Sequence, residues 1–225
     1  MTGGDPAPGL VHDPDQLAGA LSRLNRGRRA PDRSPTRLRE LLAGFEGLVT
    51  ALPGGVRGPD AAAAFAELET LLAAQGAGDG AASLRSYLEP ILERLVEGLL
   101  DYPERRLAAY GSLLPGENNH RHVATLVGRW VPGTVEGTLH DRGWASREGY
   151  PGFVHRIPGD RLAVKVFESL ALPDAWKRLD AFEGAAYRRI LAPVETDAGR
   201  LVCNIYELTG ERTEERTPPR EPDRA

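Results

Sequence analysis

A chain of 225 residues has room for one large domain or two small ones, at roughly 150 residues per domain, and can bury a core without a disulfide or metal staple. Its formal net charge of −4 argues against a dedicated nucleic-acid binder, which needs a basic face to neutralise phosphate. Cys203 is the only cysteine, which excludes an intramolecular disulfide and any multi-cysteine zinc site.

The helical signals come first in the chain. Residues 1–12 open on the Gly/Pro-rich run MTGGDPAPG and predict a disordered N-terminus. Asp13-Pro14-Asp15 then reads as a helix start, with a capping carboxylate and proline at the first helical position. That helix carries Leu17, Leu21 and Leu24 and ends in the stretch Arg26–Pro35. Ser34-Pro35 repeats the cap-then-proline pattern, and Leu38, Leu41, Leu42, Phe45, Leu48, Val49 and Leu52 follow at helical spacing as far as Pro53-Gly54-Gly55. A third helix is predicted over Pro59–Gln75, with Phe65, Leu68, Leu71 and Leu72 on one face. A fourth is predicted over Ser83–Leu100, kinked at Pro90 or beginning near Glu89. Residues 13–105 therefore predict a small helical bundle. It has no titratable cluster or glycine-rich loop, and reads as a region for self-association or for docking a protein partner.

From residue 106 the pattern turns to β. Short strands are predicted at Leu107–Tyr110, Ala124–Val131, Val135–His140, Leu162–Glu168, Arg188–Glu195 and Leu201–Leu208. Pro115-Gly116-Glu117, Pro132-Gly133, Pro158-Gly159-Asp160 and Asp197-Ala198-Gly199 separate them as turns. One helix, from Pro173 to Glu183, interrupts the series with Trp176, Leu179 and Phe182 on its apolar face. Residues 106–210 thus predict a small mixed β-barrel with one main helix, and the whole chain an α+β protein. Residues 211–225, charged and proline-containing, predict a disordered tail.

Two segments carry chemistry. Tyr110-Gly111-Ser112-Leu113-Leu114-Pro115-Gly116 follows the first strand, where a glycine lets successive backbone N–H groups converge into a nest for a carboxylate or an oxyanion. An ordinary strand-to-loop turn is the alternative. Leu179-Asp180-Ala181-Phe182-Glu183-Gly184 ends a helix at a glycine stop. Glu183 there meets the negative end of the macrodipole, which disfavours its charge and raises its pKa toward that of a general acid–base. The alternative is a solvated glutamate at a frayed helix end.

YGSLLPGENNH, GTLHDRGW with GYPGF, and LDAFEGAAYRR, in that order over Leu107–Leu208, resemble the γ-glutamylcyclotransferase-like family, and within it the branch of γ-glutamylamine cyclotransferases and avirulence-induced plant proteins. The resemblance implies that Tyr110, Gly111, Ser112 and Leu113 cradle a γ-glutamyl group and that Glu183 is the general acid–base. It also implies that Tyr187 and Tyr206 lie near the pocket, and that Asn119-His120 matches a pair in the amine-acting branch. The implied reaction is cyclisation of a γ-glutamyl amine or amino acid to 5-oxoproline with release of the amine, without metal or organic cofactor. The sequence departs from the family at Val164-Lys165-Val166-Phe167, where a glycine and an acid are usual, and at His140, where tyrosine is common. Losing that glycine predicts a narrower pocket, and Lys165 inverts a charge, which together predict a changed substrate range.

Other readings compete. Ser112 with His120 as base would make a serine hydrolase, but the segment lacks the second glycine of a Gly-x-Ser-x-Gly elbow. His120-Arg121-His122 would put two imidazoles on one strand face for a metal, but Val123–Val127 is apolar and offers no acid, and His140 and His155 have no assigned partner. The serious rival to an enzyme is a cyclotransferase-like barrel kept as a binding or assembly module. Glu183, dispensable in such a module, favours the enzyme.

The rest is background. Only Lys165 and Lys177 among the 28 basic residues are lysines, a bias that fits a GC-rich, bacterial genome. No run approaches the roughly 20 apolar residues of a membrane helix, and the N-terminus lacks the pattern of a secretory signal. The expected location is the cytoplasm, with no nucleic-acid or membrane partner.

Overall fold

The computed structural model describes residues 14–31, 34–51, 80–141, 143 and 150–209. The expectations for residues 1–12, for a helix over 59–75 and for the tail lie outside the described residues. By its contacts the chain forms two compact units: residues 1–106 with 191–204, and residues 107–190 with 205–225.

In the first unit, α1 spans Pro14–Arg29, α2 Pro35–Ala51 and α3 Gly80–Leu99. The Ser34 hydroxyl accepts the Arg37 N–H at 3.1 Å, the cap that the Ser-Pro pair predicts. The apolar stripes of the helices meet in one core of Leu17, Leu21, Leu24, Leu38, Leu41, Phe45, Leu48, Leu88, Leu92 and Val96, which also takes in Leu191 and Val202. α3 runs through Pro90 instead of starting at it. Pro90 is exposed, so the carbonyl that loses its intrahelical bond can turn to water. Asn25 of α1 acts as a strand neighbour to Leu191: its amide donates to the Leu191 carbonyl at 2.9 Å and its carbonyl accepts the Leu191 N–H at 2.8 Å. Arg28 bonds Glu104 at 2.7 Å and Asn204 at 3.2 Å, and the buried Asn204 amide donates to the Pro103 carbonyl at 2.8 Å.

Six strands form one sheet: β1 Arg106–Ala109, β2 Arg129–His140, β3 Gly152–His155, β4 Asp160–Glu168, β5 Tyr187–Thr196 and β6 Gly199–Leu208. Their order is β3-β2-β4-β1-β6-β5, and β2 also pairs with β5. That last pairing closes five strands into a barrel with β3 as an extra strand. With its N-terminal helices the chain is α+β.

Two expectations about strands change. Residues 129–140 form a single strand, in which Pro132 and Gly133 stay paired with Lys165 and Val164 of β4; pairing along the full strand overrides the local turn signal. Residues 123–126 form turns and not a strand. Val123 is buried while Val127 is 90% exposed, so the apolar run does not alternate between two faces of a sheet.

The second unit has a core of Leu107, Leu113, Val123, Phe167, Leu172, Trp176, Leu179, Tyr187 and Tyr206. Its helix, α4 Leu172–Glu183, buries Leu172, Ala175, Trp176, Leu179 and Glu183. Gly184 ends it with φ +67° and its N–H on the Asp180 carbonyl, a backbone setting that favours glycine.

Candidate active site

β1 leads directly into a tight loop. The Leu114 N–H bonds the Gly111 carbonyl at 3.0 Å and the Asn119 N–H bonds the Ser112 carbonyl at 3.0 Å. The His120 ring pairs with the Leu113 carbonyl through Nδ1, also at 3.0 Å. The carbonyls of residues 111–113 are thus all engaged. Their N–H groups, among the described residues, have no backbone carbonyl partner outside the strand ladders. Asn119 and His120 brace this loop and do not line the cavity beside it.

That cavity has about 420 Å³ of space between its walls, open solvent at its mouth included. It is lined by Leu107, Ala108, Ala109, Tyr110, Gly111, Ser112, Leu113, Tyr150, Pro151, Glu183, Tyr187 and Tyr206. Tyr110, Gly111, Ser112, Leu113, Glu183, Tyr187 and Tyr206, all singled out from the sequence, therefore border one space. Tyr150 and Pro151, in the Gly-Tyr-Pro-Gly segment, complete its wall without having been singled out. Their signal is an aromatic side chain beside a proline in a segment that otherwise reads as a turn.

Glu183 is 8% exposed and its carboxyl is pushed up to about 8, first by burial and second by the negative charge of Asp180. The helix-end field expected from the sequence points the same way, but desolvation is the main cause. The tyrosines divide by what their hydroxyls do. Tyr110 donates to the Tyr206 carbonyl at 3.0 Å and accepts the Phe153 N–H at 3.2 Å, so its hydroxyl ties the loop to β3 and β6; burial raises its pKa above the ordinary phenol value. Tyr206 donates to Asp180 at 2.7 Å, and burial, followed by the Asp180 charge, raises it too. Tyr187 is 7% exposed, and a Cβ on Gly143, whose φ is +96°, would fall 2.2 Å from its hydroxyl.

The geometry removes several alternatives. His120, Arg121 and His122 lie on a short 3₁₀ turn and not on a strand. His122 stacks on Phe182 at 3.9 Å between ring centroids, and burial holds its pKa below the ordinary value. Among the described residues the His120 ring bonds the Leu113 carbonyl through Nδ1, so the imidazole is engaged by the loop backbone and not by the Ser112 hydroxyl. His140 pairs with Thr138, and His155 lies on β3. Among the described residues no three His, Cys, Asp or Glu side chains group as metal ligands. Lys165 is exposed and no residue of 164–167 lines the cavity, so the departures there neither narrow it nor change its charge.

The profile of gamma-glutamyl cyclotransferase, AIG2-like, proteins matches residues 107–223. The chain belongs to this family. The cyclotransferase match begins at the second residue of β1 and takes in the loop, α4 and all of the cavity's lining. The chain is also similar in structure to the YkqA protein of Bacillus subtilis, at 25% identity and a TM-score of 0.39, over 47% of this chain and 36% of that one. An AIG2-like protein from Mus musculus matches at 17% identity and a TM-score of 0.40, over 48% of this chain and 80% of that one. A protein from Pyrococcus horikoshii matches at 22% and 0.34, over 47% and 79%. The match thus spans about a third of the length of the Bacillus protein. No curated protein matches the sequence. Among the described residues no helix is long and apolar enough to cross a membrane.

Proposed function

We propose that this member of the family is an active cyclotransferase, which converts a γ-glutamyl amine or γ-glutamyl amino acid to 5-oxoproline and releases the amine. The observation that carries this reading is Glu183: a carboxyl buried at a cavity wall, shared with the Gly111–Leu113 loop, and with a proton affinity near neutrality. A module kept only for binding has no use for that desolvated acid, whose burial opposes folding at neutral pH.

In the proposed reaction the α-amine nitrogen attacks the γ-carbonyl carbon of the same glutamyl group. A new C–N bond closes the five-membered ring and the original amide C–N bond breaks. The attacking nitrogen enters as an ammonium with three protons and ends as the lactam N–H with one, while the leaving nitrogen gains two and departs as an ammonium. Glu183 performs both transfers. An α-amino group titrates near about 8, so a carboxyl at about 8 exchanges a proton with it at little cost. The N–H groups of Gly111–Leu113 receive the substrate carboxylate, or the carbonyl oxygen as it gains charge. Positioning supplies much of the rate, since oriented intramolecular attack reaches effective molarities on the order of 10⁵ M or more. The chemistry as written requires no metal or organic cofactor.

The test is to incubate the full chain with a panel of γ-glutamyl amines, γ-glutamyl amino acids and glutathione, and to measure 5-oxoproline by mass spectrometry. Stoichiometric 5-oxoproline and free amine from at least one substrate supports the reading. None across the panel favours a binding or assembly module.

A further inference from the structure

Asp180 lies three residues before Glu183 on α4, one turn away on the same side of the helix. Unlike Glu183 it is at the solvent boundary, its side chain 43% exposed. Two groups converge on it. The Tyr206 hydroxyl reaches Oδ1 at 2.7 Å. Arg189 of β5 reaches Oδ1 through Nε at 3.0 Å and Oδ2 through Nη2 at 3.4 Å. That guanidinium in turn lies over the Trp176 ring, its carbon 4.3 Å from the ring centroid. A carboxylate can only accept hydrogen bonds, so the phenol hydrogen points out of the cavity toward Asp180.

We propose that Asp180 is a positioning residue of this site: it takes the Tyr206 phenol hydrogen, so that the phenol oxygen meets the cavity as an acceptor, and it keeps a negative charge one helical turn from Glu183. The Arg189 fork, steadied on Trp176, holds that carboxylate in place and limits how strongly its charge is felt. The cavity then presents to a ligand an acceptor on Tyr206 and a readily protonated carboxyl on Glu183, a pairing suited to a primary ammonium. Glu183 feels the charge of Asp180 from its own helix. Tyr110, Tyr187 and Tyr206 face it from the loop, β5 and β6, and Arg189 of β5 sets a positive charge against Asp180. That this ligand is a substrate rests on the proposed function; the arrangement itself does not.

The experiment follows the Glu183 side-chain carboxyl carbon by NMR as pH is raised in the full-length protein, with the resonance assigned by its loss in Glu183→Gln. Asp180→Asn keeps the shape and removes the charge, and should lower the titration midpoint. Arg189→Gln leaves the charge unopposed, and should raise it. In the 5-oxoproline assay the acid limb of kcat/KM should move in the same two directions. Opposite displacements support the proposal; a midpoint that stays put in Asp180→Asn, or moves the same way in both variants, overturns it. The titration needs no turnover. Opposite displacements without 5-oxoproline from any substrate would refute the cyclotransferase reading and leave Asp180's role standing; turnover with a fixed midpoint would do the reverse.

Discussion

The hydroxyl of Tyr110 donates to the main-chain carbonyl of Tyr206, 96 positions away in sequence, at 3.0 Å and accepts the Phe153 N–H at 3.2 Å. The tyrosine that opens the loop is therefore a tie between strands, its hydroxyl committed to backbone. Tyr110→Phe leaves a carbonyl and an N–H without this partner and should destabilise the fold by about 1–3 kcal/mol, read by urea unfolding. The acid limb of the pH–rate profile should stay where it is, because this hydroxyl is not the group that moves the proton. A displaced limb would assign Tyr110 a part in proton transfer.

Glu183 makes stability depend on pH in a defined direction. Its carboxyl titrates at about 8 in the fold against 4.5 ordinarily. Below pH 4.5 folded and unfolded chains both hold the proton and the group carries no penalty. As pH rises from 4.5 through 8, the unfolded chain releases the proton while the folded chain keeps it, so stability is lost across that window. Glu183→Gln lacks this loss. Its stability relative to wild type should grow on the order of 1.4 kcal/mol per pH unit inside the window and level off above it. A gap between the two proteins that is flat with pH would contradict the burial argument.

The same value predicts how activity depends on pH. The productive complex holds one proton between Glu183 and the substrate amine. Below about pH 8 both partners are protonated and one proton is in excess, so kcat/KM should fall tenfold per unit toward acid. A profile flat from pH 6 to 8 would remove Glu183 as the base.

The helical residues are tied to the β5–β6 hairpin by chemistry that one substitution can test. Asn25→Ala removes both bonds to the Leu191 backbone and leaves a buried N–H and C=O unpaired, at about 1–3 kcal/mol each. Chemical denaturation should show that loss, and an unchanged midpoint would refute the tie. Because Leu191 and Val202 belong to the core of the helices, a fragment of residues 106–210 should expose them and aggregate.

Gly143 tests the placement of Tyr187. Alanine there puts a Cβ 2.2 Å from the Tyr187 hydroxyl at φ +96°, a backbone setting that costs about 1–3 kcal/mol for a non-glycine residue. Gly143→Ala should displace Tyr187 from the cavity wall and raise KM for the γ-glutamyl substrate. An unchanged KM would mean that Tyr187 does not contact it.

Which features could be read in advance follows from how local their causes are. Glu183 and the Gly111–Leu113 loop were legible because a glycine stop and a post-strand glycine dictate local geometry. The cause of Glu183's raised pKa was only half legible: the helix end is in the sequence, whereas the burial that dominates comes from strands far along the chain. Asp180 carries no local signal for its role, since Tyr206 and Arg189 approach it from β6 and β5. β3 is not legible because the four residues Gly152–His155 give too short a pattern to show alternation. Residues 123–127 misled in the other direction: Val123 and Val127 suit a strand by composition, yet one is buried in the core and the other points to solvent.

The central claim is that Glu183 moves the proton in an intramolecular cyclisation. The most direct measurement is the rate of 5-oxoproline formation by wild type and Glu183→Gln side by side at pH 8, with the fold of each verified. Wild type should turn over clearly and the variant should lose about 10²–10⁴-fold or more, the usual contribution of general acid–base catalysis. Equal rates in the two proteins would contradict it.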